Sequence, residues 1–418
     1  MLPDGSSISP EVKSLTLSAA MQMNQAEISA ILKQLPELET LCFKYPLSAE
    51  DYALHCSEYP SVRFEAEIAL GDAVFKSSDS HLELPGLDPS AIETLSAILP
   101  WMSSLESIDL GSEESSPHLK LSDVGILQQC RSDVCFEYGF SLYGQPVSTA
   151  NTELDLSYIK VDDEGAAVSD AMAYMPRLQL LDMDSCGVSN EAMAKIRDAF
   201  PNVKVVWRIW FAEKYTVRTD TEMILASKPD VGGIMSIENT EALKYCTEVR
   251  YLDLGHNPDL ETIEFVRYMP KLEVAILAMD YWSDCSPLAE CPELEYLEIQ
   301  TTKVSDISAL SGLTKLKHLN ICYLFDLTDI SPLYGLTQLE RLWIGCLTPI
   351  PDEQIEKMQE LAPDCVINTR TLDPTDDEWR YSRKGGLVPR YELLREQFGG
   401  YVNSAFSFPW NDPLYKEA

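Results

Sequence analysis

The stretch "TDISPLYGLTQLERLWI", from Thr328, repeats with small changes the stretch "SDISALSGLTKLKHLNI" that begins at Ser305. Aligned on their first apolar strand residue, five such segments start at Val249, Leu272, Leu294, Leu316 and Leu339, in steps of 22 or 23 residues. Positions 1, 4 and 6 are apolar, as in Leu294, Leu297, Ile299 and in Leu316, Leu319, Ile321. A second apolar set follows on the return: Val304, Ile307, Leu310, Leu313, matched by Leu327, Ile330, Leu333, Leu336. One such turn is too thin to hide its apolar side from water, so the units must stack. In Asp329–Leu333, the Asp is expected to bond nearby backbone amides while Pro332 stops the strand from continuing.

The period and the L-x-x-L-x-L pattern are those of a leucine-rich repeat. The expected fold is an α/β solenoid: a curved parallel sheet with helices and turns on its convex side. Upstream, strand starts at Leu38, Leu105 and Leu178 mark longer units. In the best preserved of these, "SNEAMAKIRDAF" has helical periodicity, with Ser189 or Asn190 as cap and Pro201 as terminator. The strand-like "NVKVVWRIWF" follows, with counterparts at 61–70 and 133–142, so each long unit is expected to carry an inserted strand or hairpin. Four regions result: an N-terminal cap over 1–35, built on the helical reading of "SLTLSAAMQMNQAEISAILKQL"; long units over 36–248; short repeats over 249–368; and an aromatic cap over 369–418. The last contains Trp379, Tyr381, Tyr391, Phe398, Tyr401, Phe406, Phe408 and Trp410, with an aromatic ligand platform as the alternative reading.

The formal charge of −35 repels nucleic acid and anionic lipid, which excludes nucleic acid as a partner. No apolar run approaches the ~18 residues of a spanning helix, so no membrane insertion of this chain is expected. Oligomeric state is not legible. The eleven cysteines are odd in number and scattered, so packed thiols are expected rather than a disulfide framework.

In a stack of this kind the residues between positions 1, 4 and 6 line the concave face. Position 3 supplies Tyr251, Val274, Tyr296, His318 and Arg341; position 5 supplies Asp253, Ile276, Glu298, Asn320 and Trp343; the following positions add His256, Gln300, Cys322 and Tyr323. Aromatic and Arg side chains in such a row are the usual anchors of an interface. The expected partner-binding residues are therefore Tyr251, Asp253, His256, Tyr296, Glu298, Gln300, His318, Asn320, Tyr323, Arg341 and Trp343. Asp109, Asp182 and Asp184 on upstream strands would enlarge this open surface.

Chemistry has weak claims. His318, Asn320 and Cys322 alternate on one strand, but same-face neighbours stand ~6.8 Å apart, too far for a ready thiol–imidazole pair. Cys130 with Cys135 and Cys285 with Cys291 lack the spacing of a structural zinc knuckle. "DDEG" at 162–165 and "DPTDDE" at 373–378 lack the spacing of a dedicated calcium loop. Cys186 and Asn257 occupy the repeat position whose side chain bonds inside the turn, and "HCS" at 55–57 reads as a partly buried pair on a helix. No catalytic residue, cofactor or metal ligand is expected.

"DISPL" at 329–333 resembles the phrasing of internalin-like bacterial leucine-rich repeat proteins. The stretches "CGVSNEAMAKIRDAFPNVKVVWRIWF" at 186–211, "LDLGHN" at 252–257 and "WRYSR" at 379–383 resemble uncharacterised repeat proteins of gut Firmicutes. The resemblance implies a non-enzymatic binding module for a protein or glycan, in an extracellular or cell-surface setting with a leader missing from this chain. The alternative is a cytoplasmic regulatory scaffold that docks a cytosolic enzyme.

Overall fold

Middle residues of consecutive strands, Leu252, Ala275, Leu297, Leu319 and Leu342, stack in register and are fully buried. The computed structural model describes residues 8–212, 215–226 and 240–392. The chain divides into two compact units: Met1–Leu181 with Ala199–Lys204, and Asp182–Asp198 with Val205–Ala418.

In the first unit, Ser14–Leu17, Thr40–Phe43 and Arg63–Glu65 form a parallel sheet in which Leu15 pairs with Leu41 and Leu41 with Phe64. The N-terminal stretch expected to be helical is only partly so: Ser14–Leu17 is a strand of the stack, and the α-helix covers only Gln25–Leu32. The cause is local. Asn24 accepts from the Glu27 amide and Glu27 accepts from the Asn24 amide, which starts the helix at that point and leaves the alternating "SLTL" outside it. Further on, His81–Glu83, Ser107–Ser112 and Cys135–Leu142 run parallel, and Cys135–Leu142 turns back into the antiparallel Gln145–Ser148. Glu67–Leu70 makes a similar hairpin with Ala73–Lys76. On the helix Ala49–Glu58, His55 is buried with its ring stacked on Phe43 at 5.8 Å and on Phe64 at 5.7 Å. Asp163 accepts from the amides of Gly165 and Ala167 and from the Tyr143 hydroxyl, so it holds the start of the helix Ala166–Met172.

The second unit opens with the helix Asn190–Ala199, capped by Ser189 through the Ala192 amide, while Asn190 accepts from the Trp207 indole at 2.9 Å. The hairpin Arg208–Phe211 with Tyr215–Arg218 follows. The main element is a seven-stranded parallel sheet: Met223–Leu225, Tyr251–Asp253, Val274–Ile276, Tyr296–Glu298, His318–Asn320, Arg341–Trp343 and Val366–Asn368. Five of these strands belong to the short repeats; the first and last lie 28 and 25 residues from their neighbours, outside the 22–23 period, and extend the same ladder. Five-residue 3₁₀ turns, from Glu241–Tyr245 to Ser331–Gly335, form the return path between the successive strands up to Arg341–Trp343, after which the α-helix Asp352–Leu361 takes that place. Asp284, Asp306 and Asp329 start three of these turns by accepting the amide two residues on, each at 2.8 Å. Asn257 donates to the carbonyls of Ala226, Leu254 and Gly255, and the Cys186 thiol donates to the Asp184 carbonyl, so both bond inside their turns. No disulfide links the eleven cysteines, and eight of them are buried. The unit belongs to the α/β leucine-rich repeat class.

Candidate functional site

Alternation along each strand sends the middle residue into the leucine core and its two flanking residues to the opposite, outer face. That face carries Tyr251 and Asp253, Val274 and Ile276, Tyr296 and Glu298, His318 and Asn320, and Arg341 and Trp343, as the repeat register requires. The expectation that this row is open to solvent is not met. Tyr251, Asp253, Tyr296, Glu298, Gln300, His318, Asn320 and Trp343 are all buried. Arg341 and Tyr323 are half-buried, and His256 is exposed.

What covers the row is the chain's own C-terminal segment. Past the last strand, residues 369–392 come back over the outer face. Trp379, Val388 and Tyr391 join Tyr251, Val274, Ile276, Tyr296, Cys322 and Trp343 in one hydrophobic cluster. The described part of the region expected to cap the end of the stack therefore lies on its face; 393–418 fall outside the described residues. The Trp379 ring sits 5.3 Å from the rings of both Tyr296 and Trp343. The Arg390 guanidinium stands 5.2 Å over Trp379, and that of Arg380 stands 5.3 Å over Tyr391.

At the centre is Glu298, fully buried. Its Oε1 accepts from the Trp379 indole at 2.8 Å, from Arg380 Nε at 2.8 Å and from the Tyr296 hydroxyl. Its Oε2 accepts from Gln300 Nε2 at 2.9 Å and from Arg380 Nη2. Burial works against the charged carboxylate, yet the Arg380 guanidinium, with hydrogen bonds from Arg380, Gln300 and Tyr296, outweighs it and holds Glu298 below its ordinary 4.5. A buried carboxylate without such partners would give up its charge. Asn320 adds a bond from Nδ2 to the Pro374 carbonyl at 2.7 Å, and the Tyr323 hydroxyl donates to the Leu372 carbonyl.

The remaining groups sort by burial. Burial pushes the His318 imidazole down to about 3, so its 3.8 Å approach to Glu340 is not an ion pair at neutral pH. Burial pushes the Cys322 thiol up, away from nucleophilic character. Asp184, expected to enlarge an open surface, is buried and held by a two-pronged contact from Arg208, Nε to Oδ1 and Nη2 to Oδ2, both at 2.8 Å. Asp182 pairs with Arg218 at 2.9 Å, and Asp109 accepts the Gly111 amide. Among the described residues no group of three or more His, Cys, Asp or Glu could hold a metal ion, and no helix is long and apolar enough to cross a membrane.

Sequence reasoning missed Trp379, Arg380, Arg390 and Tyr391 as parts of the face. One signal pointed to them. A Glu amid aromatic and apolar neighbours in a strand row needs a cation, and "WRYSR" at 379–383 offers an indole and a guanidinium side by side.

No protein-family model matches the chain, and no curated protein sequence does. Among solved structures it is similar to an internalin from Listeria monocytogenes, at 19% identity over 88% of this chain and 86% of that one, with a TM-score of 0.30. It is similar also to internalin C2 of the same organism, at 16% identity over 60% of this chain and 84% of that one, TM-score 0.28. A leucine-rich repeat protein of Leptospira interrogans is 14% identical over 86% of this chain and 96% of that one, TM-score 0.28. Likenesses at these scores carry no argument about function; the fold assignment stands on the strand ladder itself.

Proposed function

We propose that the chain is a non-enzymatic binding module that recognises a protein or glycan through the outer face of its seven-stranded sheet, in an extracellular or cell-surface setting. The observation that carries this reading is the clasp at Glu298. The row Tyr251, Asp253, His256, Tyr296, Glu298, Gln300, His318, Asn320, Tyr323, Arg341 and Trp343 contains the members of a recognition surface: aromatic walls, a buried anion and amide donors. In this structure eight of the eleven are buried, and Tyr251, Tyr296, Glu298, Asn320 and Trp343 among them grip a peptide segment, the chain's own. A strand array fixes these side chains before contact, so little ordering entropy is lost on binding.

The test is affinity capture with the immobilised full chain and with a Tyr323→Ala/Arg341→Ala variant, which alters the half-buried edge of the row and spares the buried clasp. A partner that the wild type holds and the variant loses at an unchanged melting temperature supports the reading. A partner held equally by both places binding elsewhere. Running the capture from surface and from cytosolic extracts separates an exported setting from the cytoplasmic alternative.

A further inference from the structure

The segment that covers the outer face is built as a ligand is built. Among the described residues, every backbone-to-backbone hydrogen bond of 375–392 finds its partner within 373–392: Arg380 and Tyr381 donate to the Thr375 carbonyl, Val388 to that of Arg380, and Ser382 to that of Gly386. Tyr381 and Leu387 form an antiparallel bridge, closed by Gly385 and Gly386 at φ 88° and 83°. This segment does not extend the ladder of the sheet. It is attached through the side chains of Trp379, Arg380, Val388, Arg390 and Tyr391, and the chain leading into it offers the Leu372 and Pro374 carbonyls to Tyr323 and Asn320.

Two features show that the fit is not optimised as a permanent core. Asp377 and Glu378, next to Trp379, both lie in the left-handed region, at φ 57° and 76°, where residues other than glycine are strained. Across the contact, Trp343 Nε1, His318 Nδ1, and Nε and Nη1 of Arg390 are buried and have no hydrogen-bond partner among the described residues. The charge balance then says what else would bind. Lifting the segment leaves the Glu298 carboxylate on an aromatic face in a chain of net charge −35, which selects a cation carried beside a flat apolar group and repels polyanions.

We propose that the outer face is a docking groove for a peptide segment bearing an indole next to a guanidinium, that Thr375–Tyr391 fills it as an internal pseudo-ligand, and that a partner segment of the same chemistry displaces it. The proposal rests on the binding reading above and names its partner class. The probe is a labelled peptide, TDDEWRYSRKGGLVPRY, titrated against full-length chains. The Trp379→Ala/Arg380→Ala chain, whose own segment has lost its grip, is expected to bind it at least tenfold more tightly than the wild type. Adding Glu298→Gln to that chain, or using a peptide with Ala in place of Trp and Arg, is expected to undo the gain. A folded double variant that binds no better than the wild type overturns the proposal. Should the double variant fail to fold, hydrogen exchange on the wild type decides: faster exchange of the 375–391 amides under excess peptide supports displacement, and unchanged exchange at saturation overturns it. Peptide failure alongside a partner still lost by the Tyr323→Ala/Arg341→Ala chain removes displacement and leaves the binding reading standing.

Discussion

Trp379 donates its indole N–H to the Glu298 carboxylate at 2.8 Å across 81 residues of chain. This bond, with the Arg380 pair beside it, turns the outer row of the repeats from a surface into a second interior.

Removing the anion should therefore cost more than an exposed charge would. Glu298→Ala leaves Arg380, the Tyr296 hydroxyl, the Trp379 indole and Gln300 without their acceptor. Breaking one side of a buried pair typically costs ~3–5 kcal/mol. Urea denaturation followed by tryptophan fluorescence measures it, and a loss under about 1 kcal/mol would show that the clasp does not hold the segment down. Replacing Glu298 and Arg380 together by Leu should cost less than Glu298→Ala alone, because no charge is left stranded.

Tyr296→Ala and Trp343→Ala should each lower stability by ~3–5 kcal/mol, as truncations of buried aromatics do. Tyr323→Ala, at a half-buried position, should change it far less. Melting curves of the three variants separate a buried row from an open one, since an open row predicts three small and similar shifts.

His318 gives a pH signature. Its folded pKa is depressed to about 3 from 6.5, so between those values the unfolded chain binds the proton and the folded chain does not. Its contribution is full above pH 6.5 and is lost as pH falls toward 3, at about 1.4 kcal/mol per pH unit. Glu298, held below 4.5, adds a loss of the same sign only below that value. Urea midpoints at pH 7 and pH 5 should differ less in His318→Gln than in the wild type; equal differences would show that His318 is solvated.

Asp184 anchors Arg208 and also meets Arg218 at 3.3 Å. Arg208 retains only 10% side-chain exposure, so Asp184→Ala removes a two-pronged carboxylate contact from a largely buried guanidinium and should lower stability by roughly 1–3 kcal/mol. A chemical denaturation curve indistinguishable from wild type would mean that Arg208 finds water or another carboxylate.

Glu378→Asn places at φ 76° a residue that tolerates the left-handed region better, and should tighten the segment by up to about 1 kcal/mol. Hydrogen exchange at 379–391 should slow; faster exchange would show that the Glu378 bond to the Arg383 amide outweighs the backbone strain.

The ladder was legible because its cause is periodic. Leu294, Leu297 and Ile299 recur at a fixed step as Leu316, Leu319 and Ile321, and that recurrence suffices to define the register, the inward row and the outward row. The Asp284, Asp306 and Asp329 turns were legible for the same reason: each acts on an amide two residues away. The outer strands Met223–Leu225 and Val366–Asn368 were not, because their spacing departs from the period. The stretch at Ser14–Leu17 was misread as helix because its apolar content fits either pattern until the Asn24 cap decides where the helix starts.

Sequence alone thus determined which side chains leave the leucine core, since that follows from contacts between residues a constant distance apart. Only the tertiary structure decided whether they meet water. The segment that covers them, Trp379 with Arg380, lies some 80 residues from Glu298 and shares no repeat with it, so no local pattern encodes the encounter. It is settled by burying aromatic surface and matching one carboxylate to one guanidinium, and such long-range complementarity becomes visible only when the chain is folded.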